Sequence, residues 1–499
     1  MDKKILAGVV VVALVIIVAA AIVLTQDNGP HKEKPGTYDN PAMVLIDANV
    51  NPVLEVYGNV NEDSVIDKKD YDLLKTAIKD GKTPNYKYAD ANFDGVVNEE
   101  DLEYIEEIIN ATYENPVVVK LLNRYNKGDY YTEVSIPTKS VGMSASANLI
   151  LMMKYLGITE PIKAVSYNGG IDASLYPEYQ YLFVDLDKKF DVGGSFVYRV
   201  GDSAMYVAKE LFLDHVTKDG VTCFITADNS SYLTYSSSKG YGMTEKEMNE
   251  LGIDVLRIGS AYVDPSAYLS NLATLSFVMG ADASKLDAIA SWTEKTVKEI
   301  NDKLNNTVGE GSVKEINIAV SSANQYIEKS DGTIDTYNYV SSKTSDYTQA
   351  VMAAGGHFAL DAYDFGTSTS SKKYTDFGKW LADYDIDKII CLKTGSGFSY
   401  LKGEATTTDA GKTAMIGCMK AFKDTEAYYN NNVIVIAGDM PIILRTVYAA
   451  VALYPDWFSE SWADKLYQEY TTKFLGMDKS DVKDGKFIIH MEDVGLQGH

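Results

Sequence analysis

Two stretches of this chain place oxygen-bearing side chains at alternate positions, the spacing with which a loop can wrap a hard cation. The second reads DANFDGVVNEED from Asp90, with Asp90, Asn92, Asp94, Asn98 and Asp101 at loop positions 1, 3, 5, 9 and 12 and Gly95 at position 6. The first reads NVNEDSVIDKKD from Asn59, so that Asn59, Asn61, Asp63, Asp67 and Asp70 take the same positions and Ser64 replaces the glycine. Alternate side chains converge on one ion only if the backbone curls round it. Gly95 suits that turn, and the position-7 carbonyls of Val65 and Val96 add one ligand each. Each loop brings three carboxylates, a set that suits calcium, one ion per loop and two in all. Magnesium demands a tighter octahedron and keeps its waters.

Each loop runs into an apolar-periodic stretch, which predicts helices over 71–79 and 102–109. Position 12 is Asp in both copies, where the EF-hand has a longer, bidentate Glu, and no helix is evident ahead of the first loop. With its duplicated loop–helix order, the region 55–112 resembles a dockerin module. The resemblance implies a small α-helical, calcium-ordered unit with a cohesin-like partner.

The remaining elements must deliver or use these loops. Residues 5–24 form an unbroken apolar run of twenty, preceded by Lys3 and Lys4 and followed by Asp27. Its length matches a bilayer core and its flanking charge puts the N-terminus inside. The expectation is an N-terminal transmembrane helix, a single-pass anchor in the cell membrane with the bulk of the chain extracytoplasmic. A cleaved secretory signal, with Ala19, Ala20 and Ala21 as its small-residue site, is the competing reading. Residues 26–41 are polar with Pro and Gly and read as a linker, and 42–115 hold the calcium module.

From residue 117 the pattern alternates short apolar strands with helices, an α/β arrangement in which continuous apolar runs suit parallel strands covered on both faces. SIPTKSVGM, IKAVSYN, VTCFITA and IDVLRIG read as strands of a first lobe over 117–268, with helices expected over 145–156 and 204–215. Connecting helices fill 269–310. The last of them, 285–305, carries Leu286, Ile289, Trp292, Val297, Ile300 and Leu304 on one face. INIAVSS, HFALDAY, KIICLKT and VIVIAGD then read as strands of a second lobe over 311–499.

The phrases KSVGMSASANLILMMKYLGI with PIKAVSYN, GIDVLRIG, AAGGHFALD and KWLADYDIDKIICLKT occur in an order that resembles the helix-linked substrate-binding proteins of ABC importers. That family serves ferric siderophores, haem and vitamin B12. The likeness spans about residues 117–476. It implies two Rossmann-like lobes joined by a long helix, and a cleft for an iron chelate or cobalamin-type ligand. It also implies a permease that docks on one Glu per lobe. Here those positions hold Leu149 or Leu151 in the first lobe and Lys379 in the second. A second reading therefore stands beside transport: a calcium-dependent surface docking or scaffold protein that binds a cohesin-like partner.

Ligands of open α/β sheets sit beyond the carboxyl ends of strands. The candidates there are Ser144, Ser146, Tyr167, Tyr232 and Tyr235 in the first lobe. In the second they are Tyr337, Tyr339, Lys393, Phe398, Asp439, Met440 and Arg445. Tyrosine and phenylalanine faces suit a flat chelate, and Lys or Arg suits its acidic groups.

The formal net charge of −24 argues against nucleic acid, whose phosphates need clustered Lys and Arg. Cys223, Cys391 and Cys418 are too far apart for a zinc knuckle and read as small buried apolar residues. No catalytic constellation is found: KGEATTTDAGKTA lacks the first P-loop glycine, GMSAS lacks the closing glycine of a nucleophile elbow, and the five histidines are scattered. The chain reads as a binder and not an enzyme.

Overall fold

The computed structural model describes residues 46–47, 49–83, 86–125, 128–144, 147–158, 162–166, 197–200, 204–228, 233, 242–309, 316–328, 334–360, 371–374, 381, 384–393, 409–438, 440–478 and 486–498. Both candidate loops end as helix caps. The Asp67 carboxylate accepts from Lys69 N at 2.6 Å and opens α1 (Lys68–Asp80). Asn98 accepts from Glu100 N at 2.6 Å and opens α2 (Glu99–Ile109). Short Asp and Asn side chains satisfy the N–H groups that a first turn leaves unpaired, and Asp70 and Asp101 at the third helical position close each capping box. The helices pack together and bury Leu74 and Ala77 of α1 with Leu102, Ile105 and Ile108 of α2.

The hairpin β1 (Val117–Asn123) and β2 (Tyr130–Ile136) follows, antiparallel with Val117 opposite Ile136. Among the described residues, the segment ahead of the first loop forms one bridge, Val56 to Leu121. Its backbone nonetheless lies along β1: Leu122 N donates to Glu55 O and Tyr57 N to Lys120 O, both at 2.9 Å.

The first lobe contains β3 (Val141–Ser144), α3 (Ala147–Leu156), β4 (Ile162–Ser166), β5 (Val197–Val200), β6 (Ala204–Ala208), α4 (Lys209–Asp219), β7 (Cys223–Ala227), β8 (Gly242–Met243), α5 (Glu245–Glu250) and β9 (Asp254–Ile258). Its main sheet is parallel, in the order β4-β3-β7-β9, and β5-β6-β8 form a small antiparallel sheet. Two expectations change here. SIPTKSVGM is not one strand: β2 ends at Ile136, Pro137 has no N–H to continue a ladder, and the chain turns before β3. The helix expected over 204–215 begins only at Lys209, because Ala204–Ala208 pairs with both β5 and β8. Tyr206 and Val207 favour that extended state.

Two helices lead out of the lobe, α6 (Pro265–Met279) and the 26-residue α7 (Ser284–Gly309). The predicted apolar stripe of α7 is buried throughout, Leu286 to Leu304. The second lobe comprises β10 (Ile316–Glu328), β11 (Ile334–Ser341), α8 (Asp346–Ala353), β12 (Gly356–Phe358), β13 (Ser371–Tyr374), β14 (Lys388–Lys393), α9 (Asp409–Lys420), α10 (Glu426–Tyr429), β15 (Val433–Ala437), α11 (Ile442–Leu453), α12 (Glu460–Phe474) and β16 (Ile488–Ile489). Its seven-stranded sheet runs β13-β11-β10-β14-β15-β16, with β12 also beside β10. The β12-β10-β14-β15 core is parallel, while β11, β13 and β16 are antiparallel additions. Cys223, Cys391 and Cys418 are buried, as expected.

The transmembrane helix expected over residues 5–24 lies outside the described residues. Among the described residues no helix is long and apolar enough to cross a membrane.

Candidate metal loops and ligand cleft

The two loops share a hydrogen-bond scheme built by their own side chains. Asn61 Oδ1 accepts from Asp63 N (2.9 Å) and Asn92 Oδ1 from Asp94 N (3.1 Å). Asp63 Oδ1 accepts from Val65 N and Asp94 Oδ1 from Val96 N. Each position-12 carboxylate straps its loop: Asp70 accepts from Asn61 N and Asp67 N, Asp101 from Asn92 N and Asn98 N. Asp70 and Asp101 are fully buried, and burial pushes both carboxyl pKa values up against the pull of those N–H groups. Position 4 is left-handed in both loops, at Glu62 (φ 57°) and Phe93 (φ 55°). Gly95 at position 6 is left-handed too (φ 91°), and its N–H reaches Asp90 Oδ2 at 3.0 Å. Ser64 does without a positive φ, so the first loop turns differently at that point.

Among the described residues no group of three or more His, Cys, Asp or Glu side chains is placed to hold a metal. Asp67 is turned to cap α1 and meets Lys69 Nζ at 3.1 Å. What each loop does hold is one orphaned oxygen at position 1. Asn59 is completely buried, and its amide nitrogen donates to Leu54 O (2.6 Å) and Asp63 O (2.7 Å). Those two bonds fix the amide orientation and leave Oδ1 buried with no hydrogen-bond partner. Asp90 Oδ1 is buried and unpartnered in the same way. A buried acceptor without a donor is costly unless a cation supplies the positive end. The loops thus fit a hard cation by their oxygen donor set and by these two orphans.

The second loop also leans on the hairpin. Phe93 meets Tyr57 and Tyr104 edge-on, Lys120 of β1 lies over the Tyr57 and Phe93 rings, and Tyr104 OH donates to Val118 O at 2.5 Å. Beside the first loop, Ser64, Val65 and Ile66 join Ile108 and Ile109 of α2 and Ala273 and Phe277 of α6 around a cavity of about 220 Å³.

In the cleft candidates, Ser144 ends β3 and Lys393 ends β14, both at carboxyl ends as predicted. The Lys393 carbonyl accepts from Gly438 N at 2.7 Å, joining the ends of β14 and β15. Tyr337 and Tyr339 are not in a loop after the first strand. They lie within β11, opposite Gln325 and Ala323, because β10 runs on into an antiparallel hairpin with β11. Ser146, Tyr167, Tyr232, Tyr235, Phe398 and Asp439 lie outside the described residues.

Met440 is wholly buried. Arg445, expected to meet ligand acids, is 3% exposed. Its Nη1 pairs with Asp346 Oδ2 at 2.7 Å, its Nε donates to Met440 O, and its guanidinium lies 5.1 Å from the Tyr347 ring centre. A buried guanidinium must be paired, so Arg445 serves to hold the start of α8 against the start of α11.

Residues that spacing did not flag stand at the ends of β7 and β9. Tyr262 OH donates to Asp228 Oδ2 at 3.0 Å. Its ring covers Gly259 so closely that a Cβ there would sit 1.9 Å from Cε2. Gly259 N in turn donates to Asn271 Oδ1 of α6 at 2.7 Å. A glycine directly after an apolar strand, with an aromatic three residues on, was the available signal. Behind this ledge Arg257, 2% exposed, pairs with Glu245 Oε2 at 3.0 Å and stacks at 4.2 Å on Tyr125. Tyr130 OH also donates to Glu245, which ties the hairpin to the lobe.

A family model described as the dockerin type I domain matches residues 57–110. Among solved structures, the chain is similar to a TroA-like periplasmic binding protein, FepB, from Veillonella parvula (14% identity, 72% of this chain and 97% of that one, TM-score 0.49). It is also similar to the molybdate periplasmic binding protein MolA of Haemophilus influenzae (15%, 70% and 96%, 0.43). A third is a periplasmic heme binding protein from Pseudomonas aeruginosa (13%, 64% and 94%, 0.40). No curated protein matches the chain. The expected single-pass location in the cell membrane is corrected: among the described residues no helix is long and apolar enough to cross a membrane.

Proposed function

We propose that the chain is a solute-binding protein that captures a metal chelate, of the iron-siderophore, haem or cobalamin kind, in a cleft between its two lobes. The observation that carries this reading is the pair of parallel sheets, β4-β3-β7-β9 and β12-β10-β14-β15, joined through α6 and α7. Parallel sheets of this kind present ligand sites beyond their carboxyl strand ends. Ser144, Lys393 and the Asp228–Tyr262 ledge stand at those ends. Spectroscopic titration with haem, cobalamin and ferric siderophores tests it. Saturable change with one of them at micromolar concentration supports the reading, and none with any of them removes it.

The module over 42–115 takes two calcium ions in this reading. Asn59, Asn61, Asp63, Val65, Asp67 and Asp70 face one, and Asp90, Asn92, Asp94, Val96, Asn98 and Asp101 the other. The orphaned oxygens of Asn59 and Asp90 support it.

A second reading is favoured by α3. Leu149 and Leu151, which stand where a permease-docking acid belongs, are 0% and 1% exposed. Neither offers a surface contact to a permease. A docking or scaffold protein, recruiting a cohesin-like partner through the 57–110 region, needs no such contact. Affinity capture separates the two: recovery of an importer permease supports transport, and recovery of a cohesin-like protein supports docking.

A further inference from the structure

The first calcium loop is not self-contained, and one of its outside supports is the short segment ahead of it. Leu54, fully buried, is held by the loop at both ends of its residue: its N–H donates to Asp63 O at 2.8 Å and its carbonyl accepts from Asn59 Nδ2 at 2.6 Å. Position 1 and position 5 of the loop are therefore both tied to Leu54. The neighbouring backbone is tied elsewhere. Val53 N donates to Ser270 Oγ at 2.9 Å and Asn51 N to Ser266 Oγ at 3.0 Å, both hydroxyls on α6 more than two hundred residues away. Ser270 Oγ also donates to Ser266 O at 2.8 Å, which fixes its lone pairs toward Val53. On the other side of Leu54, Glu55 O and Tyr57 N join β1.

We infer that Ser266 and Ser270 of the large domain are positioning residues of the first calcium loop, and that calcium there is coupled through Leu54 to α6. The inference rests on the calcium reading above. Its basis is that one segment, 51–57, cannot hold two hydrogen-bond registers at once. The register that seats Asn59 Oδ1 for the ion is the register that meets Ser266 and Ser270. Ordering one end therefore orders the other, and the coupling runs both ways. Beyond Ser270, Asn271 of the same helix holds Gly259 at the end of β9, so α6 extends the effect to the cleft ledge.

The test uses the full chain and calcium itself. Amide hydrogen exchange is compared with calcium and with chelator, and calorimetry gives the calcium affinities. Calcium is expected to slow exchange about tenfold over 265–279 while leaving 460–474 unchanged. In an Asp94→Ala background, where the first loop carries the remaining tight site, Ser270→Ala is expected to weaken calcium binding about fivefold, the worth of one lost acceptor. Calcium binding with exchange over 265–279 unchanged, or with Ser270→Ala neutral, overturns the coupling and leaves the calcium reading standing. No calcium heat at all from the unsubstituted chain overturns both.

Discussion

Asp94→Ala is the sharpest perturbation of the metal reading. Asp94 is exposed on the second loop and supplies one of its three carboxylates. Its own hydrogen bonds are to Val96 N (2.7 Å) and Asn92 Nδ2 (3.2 Å), groups that water can satisfy in its absence, so folding should suffer little. The loss falls on the ion. At a calcium–oxygen distance of about 2.4 Å and the screening of bulk water, one carboxylate and a divalent ion attract by roughly 3.5 kcal/mol. A water ligand that takes its place recovers part of this, leaving about 2–3 kcal/mol, or roughly a 30- to 150-fold weaker site. Isothermal calorimetry on the full chain should show one of two calcium sites weakened to that extent and the other kept. An unchanged isotherm would refute the assignment of the second loop, because no other described side chain replaces this ligand.

Three further perturbations follow from the same geometry. Asn59→Asp adds charge yet removes two donors and sets a carboxylate against the carbonyls of Leu54 and Asp63. It should lower stability in chelator by about 2–3 kcal/mol, read by urea unfolding. Glu245→Ala removes a carboxylate partner of the buried Arg257 guanidinium, whose side chain is 1% exposed. A loss of about 3 kcal/mol is expected in denaturant unfolding, and a loss under 0.5 kcal/mol would show the pair to be dispensable. The hydrogen bond from His490, helped by the charge of Lys486, holds the Glu460 pKa below its usual value. A folded pKa below the unfolded one adds stability that is present above about pH 4.3 and lost as pH falls through the folded value. The stability gap between the native chain and Glu460→Gln should therefore close on acidification, and a gap constant from neutral pH to pH 3 would contradict it.

Much of this protein is legible in its sequence because the signals are local. The apolar periods that follow each loop, the turn glycine Gly95 and the stripe from Leu286 to Leu304 each act within a few residues of themselves. The helices and loops they predict are found. Apolar runs likewise marked β4, β7, β9, β14 and β15, since a strand covered on both faces needs no partner to be recognised. Tertiary structure decided the rest. Whether Ala204–Ala208 is helix or strand depended on β5 and β8 being there to pair with it. Arg445 was a ligand candidate by position alone, and only the approach of Asp346, ninety-nine residues earlier, assigned its charge. The glycine after IDVLRI was a signal whose meaning came only with Tyr262 lying across it. The loop pattern picked out its alternating oxygen-bearing side chains without help. That the first loop hangs on two serines of α6 could not be read from it, because a hydrogen bond between residues 53 and 270 leaves no periodicity in either stretch.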